Sequence, residues 1–219
     1  MIYYVEPPEK ELSKKEILRY AGCGDEKDVS ELYHECIALA KGQITYKACY
    51  SAWDFSLNGN KVTLPFMETE SELLSSYLKG CKKAIFFACT IGIDFDRLIL
   101  KYSKISPSKA LMLQAIGAER IESLADSLES HLKKRYAISK PRISPGYGDW
   151  NIECQKHILE ALQANKLLGV SLTASMLMSP TKSVTAILAV NGETKQVGYV
   201  ITAKTEFEDR EGKLNTHME

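Results

Sequence analysis

The chain has 219 residues, with 28 basic side chains balanced by 28 acidic ones. A chain of that length supports one large domain or two small ones with a core burying roughly 70% of the unfolded surface, and the balanced charge offers no basic field for nucleic acid. No apolar run approaches the ~20 residues needed to span a bilayer, and residues 1–11 lack the basic and apolar regions of a signal peptide, so neither a membrane nor export is expected.

Residues 1–5 read as a short apolar strand. Ser13-Lys-Lys-Glu16 is a capping box that opens a helix running to Tyr20 and stopped by Gly22 and Gly24. A second helix is expected from Ser30 to Lys41, with Leu32, Cys36, Ile37 and Leu39 as its apolar face. Residues 44–55 are rich in β-branched and aromatic types. With Asn58-Gly59 and Val62 to Phe66 they form the strongest hairpin signal in the chain. Thr69-Glu-Ser-Glu72 reads as a second capping box, opening a helix to Gly80. Lys83 to Thr90 is a buried strand, broken by Gly92, and Asp94 to Lys104 is helical.

Ser106 followed by Pro107 is an N-cap with proline at the first helical position. From there to about Tyr136 apolar residues recur at threes and fours, which gives a helix of about 45 Å. A further helix is expected from Ile152 to Leu168, ended by Gly169. Val170 to Met178 and Ser183 to Val190 read as strands, and Met176 and Met178 as core. Asn191-Gly192 turns into a last strand, Gln196 to Ala203. Residues 1–205 are expected to form a single domain and 206–219 a charged, disordered tail. Strands come as hairpins and singles without βαβ alternation. The expected class is α+β, an antiparallel or mixed sheet with packed helices.

Cys23, Cys36, Cys49, Cys81, Cys89 and Cys154 form no C-x-x-C pair, and their spacing suits neither zinc nor a disulfide framework. They read as reduced cysteines in a cytoplasmic protein, and the scattered histidines suggest no metal site.

The candidate site is the loop Lys140 to Trp150, which lies between two helical segments. Pro141 and Pro145 stiffen it, Gly146 and Gly148 let it bend, and Arg142, Tyr147 and Trp150 supply a cation and two rings. A third glycine is missing, and the loop follows a long helix rather than a strand, which argues against a dinucleotide fingerprint. Two readings remain from the residues: a clamp for a small carboxylate-bearing ligand, or a rigid connector whose arginine pairs with a surface carboxylate. Glu122 and Asp126 share one face of the long helix, either to meet a cation or as a solvated acidic edge, the second being preferred. Asp149 is a further candidate pocket residue. Lys182 reads as an exposed hairpin lysine.

Arg142-Ile-Ser-Pro-Gly146-Tyr147 resembles the R-x-x-x-G-Y loop of the S-adenosylmethionine-binding activation domain of cobalamin-dependent methionine synthase. Gly169 to Val184 is similar to that family's G-x-x-L-T-x-S-x-x-M-x-P-x-x-S-V run, and Leu124-Ala-Asp-x-Leu128 to its L-A-D-x-L helix. Glu16 to Tyr20 with Gly22, and Cys89-Thr-Ile-Gly92, resemble short free-standing members. The resemblance implies an activation-domain fold and four ligand contacts. Arg142 would hold the methionine moiety, Ser144 would offer a backbone contact, Gly146 would allow close approach and Tyr147 would stand beside the ligand. It also implies cobalamin supplied by a corrinoid-binding partner, a flavodoxin-like reductant, and a role in reactivating the synthase by reductive methylation. The chain would be an accessory component, not a complete enzyme, since no D-x-H-x-x-G cobalamin loop is present. The alternative is a corrinoid-protein binding module without S-adenosylmethionine affinity. It draws on the departures: the family glutamate after L-A-D-x-L falls at Ser130, with Glu129 one place earlier and facing elsewhere. The tyrosine after the last strand falls near Gln196, with Tyr199 three residues on.

Overall fold

The computed structural model describes residues 1–7, 9–23 and 29–193. Its centre is a five-stranded antiparallel sheet built from β1 (Tyr3–Val5), β2 (Lys47–Trp53), β6 (Lys83–Thr90), β10 (Ser183–Glu193) and β7 (Tyr136–Ile138), in the order β1-β2-β6-β10-β7. β6 lies in the middle, paired with β2 along one side and β10 along the other. Its residues alternate between two cores. Ile85, Phe87 and Cys89 face one and Ala84, Phe86 and Ala88 the other. A strand covered on both faces reads as an unbroken apolar run, which is why residues 83–90 are so plain in the sequence.

The first core lies under α1 (Lys14–Tyr20), α2 (Ser30–Ala40), α4 (Ile93–Ile105) and α5 (Pro107–Lys133). The second lies under α3 (Glu72–Leu78), α6 (Cys154–Ala161), α7 (Ala164–Leu168) and a separate three-stranded sheet. That sheet comprises β3 (Ser56–Asn58), β4 (Lys61–Leu64) and β5 (Met67–Glu70). The α+β class with a long helix is as expected, and the sheet is wholly antiparallel. The long helix ends at Lys133, three residues short of Tyr136, because Tyr136 is drawn onto the edge of β10 as the start of β7.

Several expectations need correction. The Asn58-Gly59 turn is present, but it joins β3 to β4 and not the long strand β2, which ends at Trp53 and pairs with β1 and β6. Thr69 and Glu70 lie in β5, opposite Val62 and Lys61, so the cap of α3 falls to Ser71, whose Oγ accepts from the amide of Leu74 at 3.0 Å. The helix expected over 152–168 is two helices, broken at Gln163 in a left-handed conformation (φ 49°). The break lets α6 pack on β10 and β5 while α7 packs on β2 and β6. Residues 170–178 form a hairpin of β8 (Ser171–Leu172) and β9 (Met178–Ser179) in place of one strand. The Thr173 hydroxyl accepts the amide of Leu177 at 3.1 Å and closes its turn. Met178 packs against the second core and Met176 is only partly buried, while Leu177 between them is 66% exposed. On α2 the buried face is Tyr33, Cys36 and Ala40. Asn191 and Gly192 lie within β10; the strand expected over 196–203 and the tail over 206–219 lie outside the described residues.

Asp149, a pocket candidate by sequence, instead completes the start of α3. Its carboxylate accepts the Ser71 hydroxyl at 2.8 Å and the amides of Glu72 and Leu73 at 2.6 and 3.1 Å. These bonds satisfy orphan N–H groups at the helix end and place negative charge at its positive pole. The hydrogen bond from Ser71, then those from the two amides, hold the Asp149 carboxyl below its ordinary range.

A depressed folded pKa adds stability above the unfolded value of about 3.9 and loses it as pH falls through the folded one. Asp149→Asn should therefore lower the thermal midpoint at neutral pH by about 2–4 °C and make the difference from wild type vanish in acid. Gly117 lies inside α5, where an added Cβ would stand 2.7 Å from Cε1 of the buried Phe95 and 2.9 Å from Cε of Lys182. Helix propensity would favour alanine by about 1 kcal/mol, but overpacking costs about 1–3 kcal/mol. Gly117→Ala should lower the urea midpoint rather than raise it.

Candidate functional site

The loop from Ser139 to Trp150 is an outgrowth of the sheet edge. β7 pairs with β10 at Ile138–Val190, and the chain returns to the same edge at Ile143, which exchanges backbone hydrogen bonds with Ile187 at 2.9 and 3.3 Å. Between these two attachments the Tyr77 hydroxyl from α3 fills the gap. It donates to Ile187 O at 3.3 Å and accepts from Ala189 N at 3.2 Å. Burial pushes that phenol up to about 12, so it stays a donor. Lys140 donates to the Tyr77 carbonyl at 2.6 Å. Arg142 is therefore the neighbour of a residue fixed in the sheet.

Beyond Ile143 the loop closes on itself. Tyr147 N donates to Ser144 O, Gly146 N to Trp150 O and Trp150 N to Tyr147 O, at 3.2, 2.7 and 2.9 Å. Gly146 takes φ +93°, a conformation that side-chain-bearing residues rarely adopt, and a Cβ there would press on Ile152 Cδ1 at 3.2 Å. Trp150 is 1% exposed and anchors the loop's end in the second core. Tyr147 lies at the turn, 57% exposed, and Ser144 is half-buried.

The guanidinium of Arg142 points at α5 and meets three carboxylates. Nη1 donates to Asp126 at 2.6 Å and to Glu129 at 3.1 Å, and Nη2 to Glu122 at 2.6 Å. Its side chain is only 20% exposed, whereas those of Glu122 and Asp126 are about half exposed. Burial opposes its charge, but the hydrogen bonds to Asp126 and Glu122 outweigh that and hold it above the ordinary arginine value. Lys133 meets Glu129 from the other side at 2.8 Å. Three carboxylates thus face two cations, which leaves a negative balance. The cluster combines a fork able to hold a carboxylate with acids able to hold a cation, as an amino-acid zwitterion requires.

Glu122 and Asp126, preferred by sequence as a solvated edge, are the partners of this arginine. Glu129, expected to face elsewhere, faces it too, while Ser130 spends its hydroxyl on Asp126 O at 2.7 Å. The spacing 122, 126, 129 places all three on one helix face and was the available signal. Lys182 is not the exposed lysine expected. Its stem crosses Gly117, and burial, partly countered by Asp96, lowers its pKa. Glu122 and Asp126 also border a groove of about 450 Å³ between α5 and residues 10–20. A second groove, of about 690 Å³, lies between α6, α7 and the β8–β9 hairpin and shares no residue with the first. Among the described residues no helix is long and apolar enough to cross a membrane, and no group of three or more His, Cys, Asp or Glu could hold a metal ion.

Comparison with known proteins bears on this site. A solved structure described as the crystal structure of the MetH reactivation domain bound to AdoHcy superposes with a TM-score of 0.63, covering 85% of this chain and 72% of that one. The two sequences are 18% identical, so the likeness concerns the fold. No curated protein matches the chain. The family model for the vitamin B12 dependent methionine synthase activation domain matches residues 71–209, well over half of the length, including α5, the Arg142 loop and β10. The chain belongs to the activation-domain family of vitamin B12-dependent methionine synthase.

Proposed function

We propose that this chain binds S-adenosylmethionine at the Arg142 loop and presents its methyl group to a cobalamin held by a corrinoid-binding methionine synthase module. The observation that carries the reading is Arg142, fixed beside the sheet edge and ringed by Glu122, Asp126 and Glu129, next to the exposed Tyr147. A methionine moiety carries one carboxylate and one ammonium beside a sulfonium. Its carboxylate would take over part of the Arg142 fork, and the acids so released would accept the ammonium. Ser144 would contribute a backbone contact, Gly146 room for close approach, and the Tyr147 ring a face for the sulfonium or the adenine.

When bound, S-adenosylmethionine supplies an activated methyl group for cobalamin that a flavodoxin-like donor has reduced. The residues of this chain then need supply no nucleophile, acid or base. Their work is orientation, which by itself can offset several kcal/mol of barrier, on the order of the 7–11 available to well-placed reactants. Residues 1–205 would act as one unit in a cytoplasmic complex, as an accessory component of the synthase.

One observation favours the alternative, a corrinoid-protein docking module without S-adenosylmethionine affinity: without ligand, both terminal nitrogens of Arg142 are already paired. Calorimetry decides between them. Wild type should bind S-adenosylmethionine in the micromolar to millimolar range, and Arg142→Ala should weaken it about ten- to hundredfold, the loss of a charged hydrogen-bonded pair of roughly 1.5–3 kcal/mol. Removing Arg142 also takes the cation from Glu122 and Asp126 and leaves Glu129 with Lys133 alone, so Arg142→Lys, which keeps the charge and loses the fork, should weaken binding while preserving the thermal midpoint. Absence of heat and of thermal shift with wild type at millimolar ligand would establish the docking module instead.

A further inference from the structure

The groove beside Glu122 and Asp126 has a second wall, and the fold holds that wall in place with a buried ion pair. Residues 9–13, between β1 and α1, have no helix or strand of their own, so their backbone groups need other partners. Arg120 and Glu119, adjacent on α5 and 1% and 5% exposed, provide them. Arg120 binds both oxygens of Glu119 and donates to Lys10 O at 2.6 Å and Glu11 O at 3.0 Å. Glu119 Oε1 accepts the amide of Ser13 at 3.2 Å, and Tyr46 donates to the Glu9 carboxylate at 2.9 Å.

A buried ion pair is close to neutral for stability when weighed against apolar packing. What this one adds is position: it ties three backbone groups of an irregular segment to one helix. Glu119, Glu122 and Asp126 recur at three and four along α5 and span about 10 Å of its axis. The strap and the partners of Arg142 therefore meet the same stripe of the same helix. The groove between them is lined by Lys10, Glu11 and Ser13 on one side and Glu119, Glu122 and Asp126 on the other.

We propose that the Glu119–Arg120 pair is a latch that sets residues 9–13 as the far wall of the groove bordered by Glu122 and Asp126, the partners of Arg142, so that a ligand seated on Arg142 and extending over these acids also touches the strap. Glu119 and Arg120 are positioning residues, and Lys10 and Glu11 carry the contact. The proposal rests on the reading of Arg142 as an S-adenosylmethionine clamp and adds to it a contact from the start of the chain.

Hydrogen exchange on the full chain, with and without millimolar S-adenosylmethionine, tests it. Bound ligand should slow exchange at residues 9–13 together with residues 142–147. The double variant Glu119→Gln/Arg120→Met removes both charges at once. It should speed exchange in the strap without ligand and raise the dissociation constant about five- to tenfold, the cost of ordering the wall on binding. Should that variant fail to fold, Lys10→Ala/Glu11→Ala alters only exposed side chains and should weaken binding at an unchanged thermal midpoint. Ligand protection confined to 142–147, or wild-type affinity in a folded strap variant, overturns the second wall and leaves the Arg142 clamp standing. No binding by wild type overturns the clamp and the wall with it.

Discussion

Four carboxylates, those of Glu119, Glu122, Asp126 and Glu129, lie along one flank of α5, and the charge they carry governs how the irregular parts of the molecule are arranged. Two of them, Glu119 and Glu129, are buried. A buried carboxylate without a partner would be costly enough to reorganise or neutralise the helix. Each end of the stripe is met by a guanidinium. Arg120 binds Glu119 and gathers residues 9–13, and Arg142 binds the other three and brings in residues 139–150. The opposite flank of α5 carries Leu113, Ile116, Leu124 and Leu128 into the first core. One helix thus serves as the floor of the core and as the rail on which both segments are fastened.

The sheet supplies the second constraint. Because β6 and β10 are covered on both faces, the edge of β10 is fixed, and anything attached to it inherits that rigidity. The attachment at Ile143 and the Tyr77 hydroxyl beside it hold Arg142 at a set height over α5. An arginine on a freely moving loop would lose much of its binding energy to ordering its own side chain. Here that cost is met on folding, through the ion pairs with α5. The same pairing would make binding of a carboxylate ligand at Arg142 an exchange of carboxylates at one guanidinium, in which the net gain is the difference between two similar sets of bonds.

Much of this was legible in the chain itself. The helix starts at Ser13 and at Ser106-Pro107, the Asn58-Gly59 turn and the apolar run of β6 act over a few residues, so local chemistry suffices to read them. Misreadings fell where a distant partner outweighed a local preference. Thr69 has the spacing of a capping residue, yet pairing with Val62 draws it into a strand. Gln163 sits in a stretch with helical periodicity, yet the two halves must reach different strands. Asp149 looked like a ligand residue and instead accepts the first amides of a helix more than seventy positions earlier.

By itself the sequence determined the α+β class, the long helix and the motifs that place the chain in its family, because these depend on residue type and spacing. Only the tertiary structure decided what Arg142 faces. Its partners lie 13 to 20 positions away on another element. They meet it because β7 and Ile143 fold the intervening chain back onto β10, directly over the acidic flank of α5. The direction of a charged side chain depends on where two elements cross, and the spacing of residues along one of them does not contain that information.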